Sequence, residues 1–284
     1  MTGLKTFTTF IKEQFKMINI IVNGAAGKMG TRIIANSNNF PNISIIGALE
    51  SPTSNKLGFD IGTLIGSGET GIKISSNPEE IKVTEKCVLV DFSLPDSTLE
   101  RLKFCLNKRI PMVIGTTGFS EIQTATIKNA SVKIPILLST NMSYGVNLIF
   151  KIIGDIAKAL GDDYDIEIVE THHKFKKDAP SGTAKTISEL ICKALNRDTN
   201  SDIIYGRKGI MGERSKKTIG VHAIRGGDVV GEHTISFLGL GERIEITHKA
   251  HSRDTFAIGA LKATEWIVDK KLGLYNMIDV LTSP

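Results

Sequence analysis

A chain of 284 residues is long enough for two domains or one large one, and its 41% hydrophobic and 23% charged residues are an ordinary globular composition that builds a sizeable core. The net charge of +5 suits an anionic ligand, yet both signs are interspersed and no basic run carries interleaved aromatics, which argues against a nucleic-acid binder. No apolar run approaches the length of a membrane span, and the scattered Cys87, Cys105 and Cys192 have neither disulfide nor metal spacing, so a reduced, cytoplasmic protein without a metal site is expected.

Residues 1–16 lack the long apolar core and small-residue cleavage site of a secretory signal. They read as a disordered extension or a start-site artefact; the alternative is an amphipathic targeting segment carrying Lys5, Lys12 and Lys16. From Ile18 onward, nearly continuous apolar runs of strand length alternate with helix-length stretches. The runs are Ile18–Asn23, Ile43–Glu50, Cys87–Phe92, Met112–Gly115 and Ile134–Leu138. Such runs are buried strands joined by right-handed crossovers, which predicts an α/β domain with a Rossmann-like, doubly wound parallel sheet. Between Ser51 and Glu85 the Gly, Ser and Asn content predicts irregular surface loop with one short strand near Ile72–Ile74.

After Asn141 the pattern changes. Val146–Leu160 has helical periodicity, Asp165–Glu170 alternates as a half-buried strand does, and Ser181 caps a helix from Thr183 to about Asn196. Strand-like segments at Thr218–Arg225, Glu232–Phe237 and Arg243–Lys249 predict a second α+β domain with a mainly antiparallel sheet. Thr255–Lys271 returns to helical spacing, with Phe256, Leu261 and Trp266 as core anchors. The expected division is 17–142 with 253–284 as one domain, and 143–252 as the other.

The first run ends in Gly24-Ala25-Ala26-Gly27-Lys28-Met29-Gly30, a glycine turn that follows a strand and opens a helix. In that context it reads as a pyrophosphate seat: Gly24 makes the turn, Gly27 lets backbone approach the phosphates, and Gly30 lets the helix lie close to the sheet. A plain strand-to-helix turn is the competing reading. Glu50, twenty residues past Gly30, stands where an acid accepts hydrogen bonds from the adenosine ribose. The next residue is Ser51 rather than a base, which favours NADH over NADPH, although Lys28 leaves dual use open. Small polar residues at Gly115-Thr116-Thr117-Gly118 and Ser139-Thr140-Asn141-Met142 fall beyond later strand ends and suit either a nicotinamide pocket or simple turns.

The densest chemistry lies in Glu170-Thr171-His172-His173-Lys174-Phe175-Lys176-Lys177-Asp178-Ala179-Pro180-Ser181-Gly182-Thr183-Ala184. Imidazoles that exchange protons near neutral pH, an ammonium that holds a carboxylate, and free N–H groups at a helix start together make a site for a small dianion. His222, His233, His248 and His251 are dispersed and read as core or strand-face residues. Lys174 and Lys177 read as solvated charge.

This string, with Val113-Ile114-Gly115-Thr116-Thr117-Gly118-Phe119 and Gly241–Ala250, strongly resembles the 4-hydroxy-tetrahydrodipicolinate reductase (dihydrodipicolinate reductase) family of lysine and diaminopimelate biosynthesis, from Met17 to the C-terminus. The resemblance implies hydride transfer from NADH or NADPH to a cyclic imine bearing two carboxylates, in a homotetramer joined through the second domain's sheets. It implies His172 as proton donor and acceptor and Lys176 as a second proton donor. His173, Gly182 and Thr183 become substrate contacts. Gly24, Ala25, Ala26, Gly27, Lys28, Met29, Glu50, Gly115, Thr116, Thr117, Thr140, Asn141, Met142 and Ser143 become the cofactor site. Ala26, Ser51 and the leader depart from the family pattern. Two other readings stay open: a different dehydrogenase of the aspartate pathway, and a regulatory protein that binds NADH without turnover.

Overall fold

A computed structural model describes residues 17–283, so the expected disordered extension at 1–16 lies outside the described residues. The chain divides into two compact units, one of residues up to Met142 together with those from Asp254, the other Ser143–Arg253.

The first unit opens with β1 (Ile18–Asn23), α1 (Gly30–Ser37) and β2 (Ile43–Leu49). The segment read as irregular loop instead contains a five-residue helix, α2 (Ile61–Ile65), before β3 (Ile74–Ser75). Five residues are too few to display a hydrophobic period, and the helix stands on a local cap: Asp60 accepts from the N–H groups of Gly62, Thr63, Thr70 and Gly71. Then come β4 (Cys87–Asp91), α3 (Pro95–Lys108), β5 (Met112–Ile114), α4 (Glu121–Ala130) and β6 (Pro135–Leu138). β4 and β5 are buried along their whole length, which is why they read as continuous apolar runs.

The second unit contains α5 (Tyr144–Leu160), β7 (Asp165–His172), α6 (Gly182–Leu195), β8 (Ile203–Tyr205), β9 (Ile219–Arg225), β10 (Gly231–Leu238) and β11 (Arg243–Ala250). Its sheet runs β11-β10-β7-β9-β8. The β11–β10 and β10–β7 pairs are antiparallel as expected, but β7–β9 and β9–β8 are parallel, so the sheet is mixed rather than mainly antiparallel. The reason is the connection: β7 reaches β9 through α6 and β8, a crossover long enough to bring the strand back in the same direction. Along β7 burial alternates strictly, with Ile166, Ile168, Glu170 and His172 on the buried face.

The chain returns to the first unit with α7 (Asp254–Ile267), β12 (Gly273–Tyr275) and α8 (Met277–Thr282). Leu261 is a core residue of α7, but Phe256 and Trp266 are only half-buried, contrary to expectation. At Gly259 α7 lies directly against its support, where a Cβ would come within 1.9 Å of Met142 O, and the rest of the buried face is made by Ala257, Ala260, Leu261, Ala263, Thr264 and Ile267. Trp266 instead packs edge-on against Tyr275 and donates to Ser283 O at 2.6 Å.

The completed sheet has the order β12-β6-β5-β4-β1-β2-β3, every pair parallel. The chain order therefore reverses between β1 and β4, the switch point outside whose carboxyl edge open α/β sheets bind ligands. Among the described residues no helix is long and apolar enough to cross a membrane.

Candidate active site

At the carboxyl end of β1 the chain turns through Gly24 with φ of 76°, and a Cβ there would lie 2.4 Å from Phe92 O. Only glycine fits. A Cβ on Gly30 would lie 2.1 Å from Gly24 O, so this residue lets α1 begin directly against the turn. Gly27 sits under less constraint, its N–H closing on Gly24 O at 3.0 Å. Helix α1 has no side-chain cap and no acid in its first turn, which leaves its start free to receive an anion.

Glu50 stands just past β2, half-buried. Its Oε1 accepts from Ala26 N at 2.8 Å and its Oε2 from Ser51 N at 3.2 Å. The acid expected at the ribose thus touches the glycine turn, while Lys28 and Ser51 are both exposed. A cavity of about 550 Å³ opens beside Ser51, with Pro52, Leu94, Asp96 and Arg101 in its wall. The switch point, the uncapped helix start and the carboxylate beside it fit a dinucleotide.

The remaining expected cofactor residues fare differently. Thr116 is buried and its hydroxyl donates to Asp91 Oδ2 at 2.8 Å while accepting from Ser93 N at 2.8 Å. Asp91, fully buried at the end of β4, also accepts from Asn23, Ser93 and Thr98, a polar knot at the switch point that the sequence reading did not single out. Gly115 owes its lack of a side chain to Phe92, whose ring would lie 2.3 Å from a Cβ there. Thr117 and Thr140 are exposed and Asn141 is half-buried. Ala25, Met142 and Ser143 are buried, Met142 against Gly259, and Ser143 capping α5 beside His248.

In the second unit, β7 ends at His172, the turn of His173 to Lys176 follows, and α6 begins at Gly182. One strand end, one turn and one helix start therefore carry every residue expected to touch substrate. Ser181 caps α6 by accepting from Ala184 N at 3.2 Å. A Cβ on Gly182 would meet nothing within 4 Å, so open space lies over the helix start. His173 donates its backbone N–H to Val229 O at 2.8 Å, and its buried Nδ1 has no partner among the described residues. Lys176 Nζ is held 2.9 Å from Asp178 Oδ2.

Beneath this surface lies a cluster that the sequence reading missed. Glu170 is fully buried and its carboxylate accepts four hydrogen bonds: His172 Nδ1 at 2.5 Å, two from the Arg225 guanidinium at 2.7 Å each, and Ser181 N at 3.0 Å. Burial raises its pKa, but Arg225 and His172 outweigh that and hold the carboxyl below the usual range. For His172 burial wins and lowers the pKa, opposed by Glu170 and reinforced by the charges of Lys176 and Arg225. His233, read as a core residue, is buried but lies with its ring 5.2 Å from that of His172 and its Nε2 3.1 Å from Ser181 Oγ. Burial, then His172, push it down to about 3, so it is neutral at pH 7. The alternation Ile166, Ile168, Glu170, His172 was the signal for the Glu170 contact; Arg225 and His233 come from strands paired only in space.

Residues 18–142 match the family described as "Dihydrodipicolinate reductase, N-terminus" and residues 145–281 its "C-terminus" counterpart. The chain belongs to the dihydrodipicolinate reductase family. It is 48% identical over 266 residues to the 4-hydroxy-tetrahydrodipicolinate reductase of Geotalea daltonii and 50% identical to that of Trichlorobacter lovleyi, covering 93% of this chain and 99% of each relative. In fold it is similar to a dipicolinate-bound dihydrodipicolinate reductase from Paenisporosarcina sp. TG-14, with a TM-score of 0.69 at 22% identity over 92% of this chain and 97% of that one. Family membership makes the chain an NAD(P)H-dependent oxidoreductase and decides against the two readings the sequence left open.

Proposed function

We propose that this reductase converts 4-hydroxy-tetrahydrodipicolinate to tetrahydrodipicolinate with His172 and Lys176 moving the protons. When bound, NADH or NADPH supplies the hydride, the substrate loses its hydroxyl as water, and one proton is consumed. Gly24–Met29 and Glu50 hold the dinucleotide, with the segments Gly115–Thr117 and Thr140–Ser143 toward the nicotinamide. His172 exchanges its proton through Nε2, because Nδ1–H is committed to Glu170. Lys176 leaves Asp178 to meet a substrate carboxylate and serves as the second donor. His173, Gly182 and Thr183 receive the carboxylates, with the first N–H groups of α6 facing an anion.

The observation that carries this reading is the closeness of the three parts: one carboxylate, Glu170, accepts from both His172 Nδ1 and Ser181 N at the open start of α6, and the charge of Lys176 acts on the His172 ring. Replacing His172 by Ala is expected to lower kcat about 100-fold or more while leaving NADH affinity unchanged. Undiminished turnover in folded His172→Ala protein removes the assignment. The chain is further proposed to act in the cytoplasm as a homotetramer assembled through the second unit, whose Tyr205, Ile210, Met211, Ile224, Leu240 and Ile244 are exposed apolar side chains suited to burial. Sedimentation as a monomer at working concentration overturns that assembly.

A further inference from the structure

The Glu170 carboxylate is joined at once to the proton-transfer ring, to the strand beside it and to the substrate-binding helix start. Each of its oxygens is fully used: Oε2 by His172 Nδ1 and Arg225, Oε1 by Arg225 and Ser181 N. An ionised carboxylate only accepts hydrogen bonds, so the Nδ1 facing it carries a proton and the neutral ring has its lone pair on Nε2. On the other side, a Cβ on Gly231 would lie 2.9 Å from His172 Nε2, so β10 keeps that nitrogen clear by having no side chain there. Arg225 also donates to Asp178 O at 2.8 Å, which ties the turn carrying Lys176 to the same hub.

We propose that Glu170, clamped by Arg225, is the positioning residue of the active site: it sets the tautomer and orientation of His172 and locks the start of α6 in register with that ring. This rests on the reading of His172 as the proton-transfer group. Glu170 takes no proton itself; the transferred proton leaves from Nε2 while Nδ1–H stays bonded to the carboxylate. The charged and titratable groups around His172 are Glu170 on its own strand, Lys176 on the following turn, Arg225 on β9 and His233 on β10. Of these, only Glu170 stabilises the imidazolium.

The test uses the full chain labelled with ¹⁵N-histidine, with the His172 signals assigned by their loss in His172→Asn. Long-range imidazole spectra of the wild type are expected to show the Nδ1–H tautomer; an Nε2–H tautomer overturns the proposal without any variant. In Glu170→Gln the signals should move to a mixture of tautomers. kcat should fall about 100-fold with unchanged NADH affinity, and the alkaline limb of the kcat/KM profile should move to lower pH. Should an unpaired Arg225 prevent folding, Glu170→Gln/Arg225→Gln removes both charges and must show the same mixing. Retention of the Nδ1–H tautomer, or of the wild-type pH limb, in whichever variant folds overturns it. Failure of the functional reading looks different: His172→Ala would keep its rate while the tautomer result stood.

Discussion

The Ser181 hydroxyl lies 3.1 Å from His233 Nε2 while accepting from Ala184 N at 3.2 Å, so one side chain both caps α6 and ties it to β10. Because α6 begins at Gly182, the cap fixes where the first N–H groups of the helix point, the groups proposed to meet a substrate carboxylate.

Ser181→Ala is therefore expected to cost about 1 kcal/mol, lowering Tm by roughly 2–4 °C, and to raise KM for the dicarboxylate without changing NADH affinity. Thermal melts with steady-state kinetics check this; an unchanged KM means that the cap does not shape the substrate site.

Acid stability should follow His233. Its pKa in the folded protein is about 3 against an ordinary 6.5, so the unfolded chain takes up a proton that the folded one refuses. The corresponding stability is whole above pH 6.5 and drains as pH falls toward 3, at about 1.4 kcal/mol per pH unit for one proton. The groups acting on it are His172 and Glu170 on β7, His248 on β11 and Lys176. Denaturant midpoints between pH 7 and pH 4, within about one protein series, should fall less steeply in His233→Asn; parallel slopes contradict the assignment.

Gly30→Ala should damage the cofactor site through packing alone. Its Cβ would meet Gly24 O at 2.1 Å and Ala25 Cα at 2.7 Å, backbone atoms that cannot swing aside. A loss of about 1–3 kcal/mol in stability and a weaker NADH Kd by fluorescence titration are expected, and wild-type values for both would show that α1 can shift freely.

Cofactor choice is predicted to turn on position 51. Ser51 is exposed beside Glu50 and offers no charge for a ribose phosphate. NADH should give the higher kcat/KM, and Ser51→Arg should tighten NADPH by about tenfold, a gain of about 1.4 kcal/mol. Equal affinity for NADPH before and after the change would point instead to Lys28.

The class of the first unit was legible in the sequence because its strands are buried on both faces: Ile18–Asn23 or Cys87–Asp91 can be little else when glycines and helix-length stretches follow. α2 was not legible, since its order comes from Asp60 reaching forward to Thr70 and Gly71 rather than from any hydrophobic period. Phe256 and Trp266 misled because size suggests burial, whereas the buried face of α7 is taken by Ala257, Gly259, Ala260, Leu261, Ala263, Thr264 and Ile267, which leaves both aromatics half-buried.

By itself, then, the sequence determined the alternation that makes the parallel sheet, the glycine turn and the string from Glu170 to Ala184, because each depends on neighbours along the chain. Only the tertiary structure decided that β9 runs parallel to β7, and hence that Arg225 lies across from His172 and can clamp Glu170. It also decided that His233 sits under Ser181. Strand pairing brings together residues more than fifty positions apart, and no local period or spacing encodes which of them will share a carboxylate.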